Sequence, residues 1–328
     1  MLSINYLGNG SNSDICIQRH IFYCHHICTP CFKSIIGTSS KNENVMHACG
    51  HDNHTAMLLA AAKMLMKHKD ELNGTVRILF QAAEESCHGA EYYVKKGLLD
   101  DVDAVYGSHV WATLDSAKIN VEAGPRMSSC DNFTITVKGV AAHGASPNDG
   151  VDAIVTAAAI ILQLQTIVSR RNDPRENLVV TIGEIEGGPR FNVISDHVVM
   201  RGTARTLSRE VREHIEGWIR NIVENVAAAN GAEATLEYEY FPGVLYNDPS
   251  LTEIAQKAVK ELYGEETLSE QFVITGSEDF SYFTEKVPGV YAFIGTRNEA
   301  KGITSPNHNL LFKFWCVTLW HNEYLFSL

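Results

Sequence analysis

The stretch Met46-His47-Ala48-Cys49-Gly50-His51-Asp52-Asn53-His54-Thr55 places a thiol close to several imidazoles. One glycine separates Cys49 from His51. This spacing cannot put both side chains on one face of a helix, but it lets both reach one ion from a strand end or tight loop. A buried cysteine beside a helix-capping polar pair would give a similar string. We interpret Cys-Gly-His as a metal-binding corner because more donors follow downstream. These are Glu84, Glu85, His109 and His308.

Length and composition indicate a soluble globular protein. With 328 residues the chain can bury a substantial core, and this length suggests two domains. The apolar share of 45% and the charged share of 20% are both ordinary for that class. The net charge of -12 argues against nucleic acid and anionic membranes as partners, because both require basic patches.

The sequence also favours the cytoplasm. No run of about 18 or more apolar residues is present, so we expect no membrane span. Polar residues between Asn9 and Asp14 interrupt any secretory signal. The eight cysteines are too few for a disulfide framework in a chain of this size, and we expect thiols or ligands.

Residues 1–40 differ from the rest of the chain because they lack a clear strand or helix period. Cys24, Cys28 and Cys31 have a C-x3-C-x2-C spacing, which leaves an iron–sulfur or zinc site open as an alternative. No Gly-rich cofactor-binding unit accompanies them. We expect an atypical N-terminal segment that is disordered or foreign to the fold.

Helices and strands alternate from residue 41 onward. The pattern predicts a helix over Thr55–Lys69, a strand over Gly74–Gln81, a helix over Ala90–Lys96 and a strand over Ala104–Val110. Asp52 or Asn53 is placed to cap the first helix. Such alternation predicts a mainly parallel sheet covered on both faces. Its site should lie outside the carboxyl ends of the strands, where Cys49, His51, the glutamate pair and His109 fall.

The order of elements changes between residues 128 and 241. There the pattern predicts strand Asn132–Lys138, helix Val151–Arg170, strands Leu178–Ile185 and His197–Thr206, helix Arg209–Ala229 and strand Ala234–Tyr240. This β-α-β-β-α-β order is ferredoxin-like. Helix Ser250–Tyr263 and strand Val290–Gly295 then return to the first pattern, while Phe314–Trp320 has no clear one. We therefore expect a discontinuous domain of 41–127 and 242–328, with 128–241 inserted.

The donor set indicates the metal. Thiolate, imidazole and carboxylate together suit zinc first, and manganese, cobalt or nickel less well. The five donors are Cys49, His51, Glu85, His109 and His308. One catalytic zinc usually takes three protein ligands, so we expect two ions, bridged by the Cys49 sulfur.

Glu84 and Glu85 are adjacent, and we expect their side chains to diverge. If Glu85 turns toward the metal, Glu84 can face the attacking water and take its proton. A solvated acidic pair at a helix start is the alternative.

Three residues of the inserted segment are candidates for substrate contacts. His143 lies among small residues, as a surface loop histidine would, yet a lid closing over the metal needs a donor for the oxyanion, and His143 is the best candidate. Asn192 and Arg205 could hold a substrate amide and carboxylate.

Several motifs in a fixed order resemble a known family. They are Met46–His54, Phe80–Glu85, Gly107–Val110, Ala142–Gly144, Gly202–Thr206, Gly276–Phe280 and His308–Phe312. Over residues 41–312 the chain resembles the metal-dependent amidohydrolases that include hippurate hydrolase, N-acyl-amino-acid hydrolases and plant auxin-conjugate hydrolases. These belong to the aminoacylase and glutamate carboxypeptidase superfamily.

The resemblance implies an α/β fold, with a three-layer zinc-exopeptidase-like catalytic domain and an inserted ferredoxin-like α+β lid that often mediates dimers, so we expect a homodimer through the lid. It implies metal ligation by Cys49, His51, Glu85, His109 and His308, with Glu84 as general base. His143 matches an oxyanion-stabilising lid residue that commonly serves the neighbouring subunit. Asn192, Arg205 and Gly276 match substrate-contacting positions. The implied reaction is hydrolysis of the amide bond of an N-acyl amino acid.

The chain departs from the family pattern at two places. Residues 1–38 lack the usual segment ending in an Arg-Ala-Asp-Met-Asp type of sequence. Leu310 replaces a usual proline, and Lys313–Thr318 replaces an acidic stretch. A truncated or frame-disturbed chain would explain both. The alternative function is therefore an inactive relative that binds metal or ligand without turnover.

Overall fold

The computed structural model describes residues 14–20, 48–270, 273–309 and 312. The chain divides into two compact units. Unit 1 comprises Met1–Arg126, Leu245–Val273 and Glu278–Leu328, and unit 2 comprises Met127–Val244 and Ile274–Ser277. The segment 128–241 that we expected to be inserted therefore lies inside unit 2, and the short stretch Ile274–Ser277 joins it there.

The strands and helices of the described residues are as follows. The strands are β1 (Asp14–His20), β2 (Thr75–Gln81), β3 (Ala104–Asp115), β4 (Ile119–Asn120), β5 (Gly124–Met127), β6 (Asp131–Lys138), β7 (Ala142–His143), β8 (Leu178–Gly187), β9 (Val193–Ile194), β10 (His197–Thr206), β11 (Glu233–Tyr240), β12 (Leu245–Asn247) and β13 (Gly289–Arg297). The helices are α1 (His51–Lys67), α2 (Gly89–Lys95), α3 (Ala153–Thr166), α4 (Arg209–Ala229), α5 (Pro249–Tyr263) and α6 (Ser281–Lys286).

Unit 1 contains the mainly parallel sheet that the sequence predicts. Its strand order is β2-β1-β3-β13-β4. The first four strands pair in parallel, and β4 pairs antiparallel with β13. Apolar residues of α1 pack against β2, as Leu58 and Ala62 do on Ile78. The carboxyl ends of the parallel strands therefore share one edge of the sheet, where a site is expected.

Strand β1 corrects our expectation for residues 1–40. Asp14–His20 pairs in parallel with all of Thr75–Gln81 and with the start of β3. The alternation of Ile15 and Ile17 is too short to distinguish from chance in the sequence alone. The Cys24, Cys28 and Cys31 spacing and the segment Phe314–Trp320 lie outside the described residues. Leu310 and Lys313–Thr318 do so as well.

Unit 2 has the ferredoxin-like order that the sequence predicts. Its antiparallel sheet runs β11-β6-β10-β8, with β8 at one edge. Helices α3 and α4 bury Ile160 and Ile215 in the same apolar core as Met200 of the sheet. Asp152 caps α3 and Ser208 caps α4, since each side chain accepts backbone N–H groups of the first turn. The two helices therefore cover one face of this sheet.

Helix α3 has a second apolar face. With the π-helical turn Ile167–Arg171 it is long and apolar enough to cross a membrane by length and composition, a test that buried core helices also pass. Its inner side belongs to the core of unit 2, while Val155 and Leu162 on the other side are exposed by 58% and 73%. Helix α3 therefore has an apolar face outside the core of unit 2.

Candidate metal centre

The Cys49-Gly50-His51 corner begins helix α1. Cys49 and His51 are buried at 6% and 3% exposure. Gly50 has a φ of 87°, and a Cβ atom there would lie 2.5 Å from a methyl group of Val110. Only glycine meets both conditions without strain. The helix begins at His51 rather than Thr55, and Gly50 takes the cap position that we assigned to Asp52 or Asn53, so His51 is fixed by the first helical turn.

Glu84 and Glu85 lie on a tight turn directly after β2. Ala83 and Cys87, on either side of the pair, have φ values of 67° and 60°. Glu84 Oε2 lies 3.6 Å from His51 Nε2, and Glu85 Oε1 lies 3.7 Å from the same nitrogen. The expected divergence of the two side chains is therefore wrong in part, because the turn directs one oxygen of each toward His51.

His109 lies within β3, which extends to Asp115 instead of ending near Val110. The extension follows from continued pairing with β13 as far as Arg297. The Nδ1 atom of His109 lies 2.6 Å from the carbonyl oxygen of Val110. A carbonyl oxygen only accepts hydrogen bonds, so Nδ1 carries the ring proton. The unprotonated Nε2 keeps a lone pair with which it can bind a metal ion. That Nε2 atom lies 3.1 Å from Cys49 Sγ.

His308 lies beside Glu85, on a loop near the end of the described residues. Its φ is 63°, and its backbone N–H donates to the carbonyl of Ala48 at 2.8 Å. Its Nε2 atom lies 3.5 Å from Glu85 Oε1. Interaction with Glu85 raises the pKa of His308 against the opposing effect of burial. Burial acts to raise the pKa of Glu85, but His308 and other imidazoles outweigh it and the pKa is lowered.

The Cys49 thiol is surrounded by carboxylates. Burial raises the pKa of Cys49 well above its ordinary value, and the charges of Glu85, Glu84 and Glu278 raise it further. A thiolate at this position therefore requires a cation. This is the environment expected of a metal ligand and not of a free nucleophile.

The donor atoms converge in overlapping sets. Atoms of Cys49, His51 and His109 lie within 4.8 Å of one another, as do those of Cys49, Glu85 and His308. Two ligands about 2.1 Å from one tetrahedral ion are separated by about 3.4 Å. Within the first set, Cys49 Sγ and His109 Nε2 are 3.1 Å apart, and within the second, Glu85 Oε1 and His308 Nε2 are 3.5 Å apart, which is close to that value. The site therefore fits divalent metal ions, and the two sets share Cys49.

A carboxylate cluster beside Glu84 is a feature that the sequence interpretation missed. Glu84, Glu278 and Asp279 place oxygens within 4.8 Å of one another. Tyr291 donates its hydroxyl to Glu278 at 2.6 Å, and Gln81 donates its amide to Asp279 at 2.8 and 2.7 Å. The Gly276–Phe280 motif contained these two acids, but adjacency to Glu84 is a tertiary property and left no signal in the spacing.

Unit 2 brings His143 and Asn192 together. Strands β7 and β9 pair His143 with Val193, and Gly144 N–H donates to the Asn192 carbonyl at 2.9 Å. The Ala145 N–H donates to His143 Nδ1 at 3.1 Å, so Nε2 carries the ring proton and is available as a donor. Both side chains are exposed.

Arg205 and Gly276 lie together elsewhere in unit 2. Arg205 Nη1 lies 3.4 Å from the carbonyl of Thr275, a weak hydrogen bond. Ser128 N–H donates to the Gly276 carbonyl at 2.9 Å. Ser128 and Gly276 are close in sequence to points where the chain passes between the units, at Met127, Ile274 and Ser277.

Comparison with known proteins places the chain in a family. The model of peptidase family M20/M25/M40 matches residues 33–313, so the chain belongs to that family. The chain is similar to N-acetyl-L-cysteine deacetylase of Bacillus subtilis strain 168, with 39% identity over 258 residues that cover 79% of this chain and 62% of the relative. It is also similar to IAA-amino acid hydrolase ILR1-like 4 of Arabidopsis thaliana, with 36% identity over 279 residues that cover 84% and 63%.

A solved structure supports the same conclusion. A dinuclear metal-binding peptidase of the M20 family from Bacillus subtilis matches with a TM-score of 0.80 and 31% identity, over 95% of this chain and 79% of that one. The resemblance and the fold class inferred from the motifs are therefore confirmed. The chain spans 62% and 63% of the length of the two curated relatives named above.

Proposed function

We propose that this protein hydrolyses the amide bond of N-acyl amino acids. The observation that carries the proposal is the pair of donor sets sharing Cys49, with Glu84 beside His51 at 3.6 Å. The similar deacetylase and IAA-amino acid hydrolase carry names of amide-cleaving enzymes. Donor chemistry and relatives thus favour the same reaction class.

The proposed centre holds two divalent ions. Cys49, His51 and His109 would hold one, and Cys49, Glu85 and His308 the other. The thiolate favours zinc, with manganese, cobalt or nickel as the alternatives. When bound, these ions supply Lewis-acid polarisation of the substrate carbonyl and lower the pKa of water.

Glu84 is the proposed general base. It is 8% exposed, and its oxygen faces His51 from the turn after β2. A carboxylate in this position takes a proton from the attacking water and returns it to the leaving amine. Glu85, its sequence neighbour, contacts His308 instead and serves as a metal ligand.

Unit 2 supplies the proposed substrate contacts. The Nε2–H group of His143 donates a hydrogen bond to the developing oxyanion. This role requires the tautomer that the Ala145 N–H fixes. Asn192 holds the amide, and Arg205 pairs with the carboxylate of the amino acid. Gly276 contributes backbone to the same carboxylate end.

Within one copy of unit 2, Arg205 is too far along the sheet from His143 and Asn192 for one small substrate to contact all three residues. Arg205 and His197 occupy opposite ends of β10, eight residues apart, which corresponds to about 26 Å. His143 lies near the His197 end, because Gly139 N–H donates to Asp196 and β7 follows directly. We therefore propose a homodimer in which His143 and Asn192 serve the site of the partner subunit.

The proposed dimer surface combines an edge strand and an apolar helix face. Strand β8 is an edge of the sheet. Ile154, Val155 and Leu162 of α3 are exposed by 44%, 58% and 73%. In a dimer, pairing of the two β8 edges with the α3 faces beside them would cover both the unpaired strand edge and the exposed apolar surface.

The inactive relative is not favoured. One reason for that alternative was that residues 1–38 lack a usual family segment, yet β1 from within these residues lies between β2 and β3 in the sheet. We also propose that the protein is cytoplasmic and has no nucleic-acid or membrane partner. Among the described residues, Cys49 and Cys130 form no disulfide, as the cytoplasm favours.

The experiment is the release of free amino acid from acetyl-, benzoyl- and longer acyl-amino acids, with zinc, manganese or cobalt supplied. We expect turnover on at least one member and its loss on chelation. Folded, metal-loaded protein that cleaves none of them would refute the proposal.

A further inference from the structure

The backbone of Val110 connects several side chains around the metal centre. Its carbonyl accepts the Nδ1 proton of His109 at 2.6 Å, and its N–H donates to His54 Nε2 at 2.9 Å. Asn307 Nδ2 donates to the same carbonyl at 3.2 Å. The orientation of the His109 ring therefore depends on where Val110 is held.

His54 holds Val110 from the side of helix α1. It is fully buried, one turn after His51, and its ring lies 4.4 Å from the His109 ring at 72°. Because Nε2 accepts from a backbone N–H, that nitrogen is not directed at an ion. His54 thus belongs to the imidazole cluster without occupying a ligand position.

Asn307 connects three ligand-bearing segments. Its Oδ1 accepts from Ala112 N–H at 2.9 Å, and its Nδ2 also lies 3.4 Å from the carbonyl of Cys49. It directly precedes His308 in sequence. One half-buried amide therefore contacts the Cys49 corner, strand β3 beyond His109, and the His308 loop.

We infer that His54 and Asn307 are positioning residues of the metal centre, which act through the backbone of Val110 on His109 and Cys49. The inference rests on the metal centre of the proposed function. Mutation of a group that orients a ligating histidine through its second ring nitrogen typically lowers metal affinity by about 10- to 100-fold. Here the carbonyl that orients His109 is itself held by these two side chains.

Cobalt binding by the full-length protein, measured without substrate, tests the inference. His54→Phe keeps a ring of similar size but loses the acceptor for Val110 N–H, whereas His54→Gln retains an acceptor. We expect about 10- to 100-fold weaker cobalt binding in H54F, with a changed thiolate-to-cobalt absorption band, and recovery toward wild type in H54Q. His68→Phe, at the other end of α1, is the control and should bind as wild type.

Asn307→Leu provides a second variant that does not depend on the buried His54 site, with exposed Asn309→Leu as its control on the same loop. We expect N307L to weaken cobalt binding and N309L to leave it unchanged. Wild-type cobalt affinity and absorption spectrum in folded H54F or N307L would overturn the inference, even if the metal-free melting temperature fell. Wild-type protein that binds cobalt but cleaves no acyl amino acid would refute only the proposed function.

Discussion

The Nε2 atom of His109 lies 3.1 Å from the Sγ atom of Cys49, although 60 residues separate them in the sequence. One atom comes from the interior of strand β3 and the other from the start of helix α1. A divalent cation bound by both atoms would convert the thiol to thiolate, so that the sulfur and the imidazole lone pair both act as ligands. Cys49 is therefore the residue on which both donor sets depend.

Replacing Cys49 with serine should disrupt both metal positions together, because both sets include its sulfur. We expect C49S to bind substantially less than wild-type metal and to lose most of the rise in melting temperature that metal gives. Metal content by elemental analysis and thermal unfolding with and without zinc are the measurements. Cys130→Ser changes a free cysteine in unit 2 and should behave as wild type. Full metal content in C49S would contradict the shared-sulfur arrangement.

His143→Ala should lower turnover by about 100-fold or more while leaving metal bound, since one oxyanion donor is typically worth that much. If His143 serves the partner's site, mixing inactive H143A with inactive Glu84→Gln should restore activity, because one site of each mixed dimer is then complete. The measurement is turnover of an acyl amino acid before and after the two variants are unfolded and refolded together. Activity that stays at the sum of the separate variants would exclude a shared site.

Asp131 should be important for the stability of unit 2. It is fully buried and accepts from Arg212 at 3.1 and 2.8 Å, and from Tyr238 at 3.2 Å. Asp131→Ala leaves the Arg212 charge without its counterion and should cost about 3–5 kcal/mol in the free energy of unfolding. Glu184→Ala removes an exposed partner of Arg201 and should have a much smaller effect, because solvent screens that pair. Urea unfolding followed by circular dichroism compares them, and equal effects would show that the buried pair has no special role.

The same network predicts a loss of stability at alkaline pH. Burial raises the pKa of Tyr238 well above its ordinary value, and the charge of Asp131 raises it further. A raised pKa in the folded state stabilises at neutral pH, and this contribution falls once the unfolded chain ionises above about pH 10. Tyr238→Phe should therefore flatten the decline in unfolding free energy between about pH 10 and 11, by less than about 1.4 kcal/mol per pH unit because the ring is partly exposed. Parallel slopes for the two proteins would refute this linkage.

The fold could be predicted largely because its elements are long and periodic. Helix Arg209–Ala229 and strand His197–Thr206 have the bounds that the apolar pattern indicates. Strand β1 could not be predicted, because a seven-residue strand with two isoleucines has too weak a period. The start of α1 was misplaced because the cap at Gly50 acts through its positive φ and not through a side-chain acceptor.

The candidate site could be predicted as a list of residues but not as a geometry. The five ligand candidates belong to short motifs whose residue types indicate metal binding. The motifs also contain His54 and Glu278, but neither their roles nor that of Asn307 can be predicted from spacing, since their positions beside Val110 and Glu84 depend on tertiary contacts. The distance between His143 and Arg205 likewise requires the strand pairing of unit 2.

The most direct test of the account compares Glu84→Gln with wild type for both metal content and turnover. The amide keeps the size of Glu84 but cannot take a proton from water, so we predict wild-type metal content and a loss of turnover of about 100- to 10,000-fold. Glu71→Gln, an exposed change after α1, should have no effect on either quantity. Turnover within a few-fold of wild type in metal-loaded E84Q would contradict the assignment of Glu84 as general base.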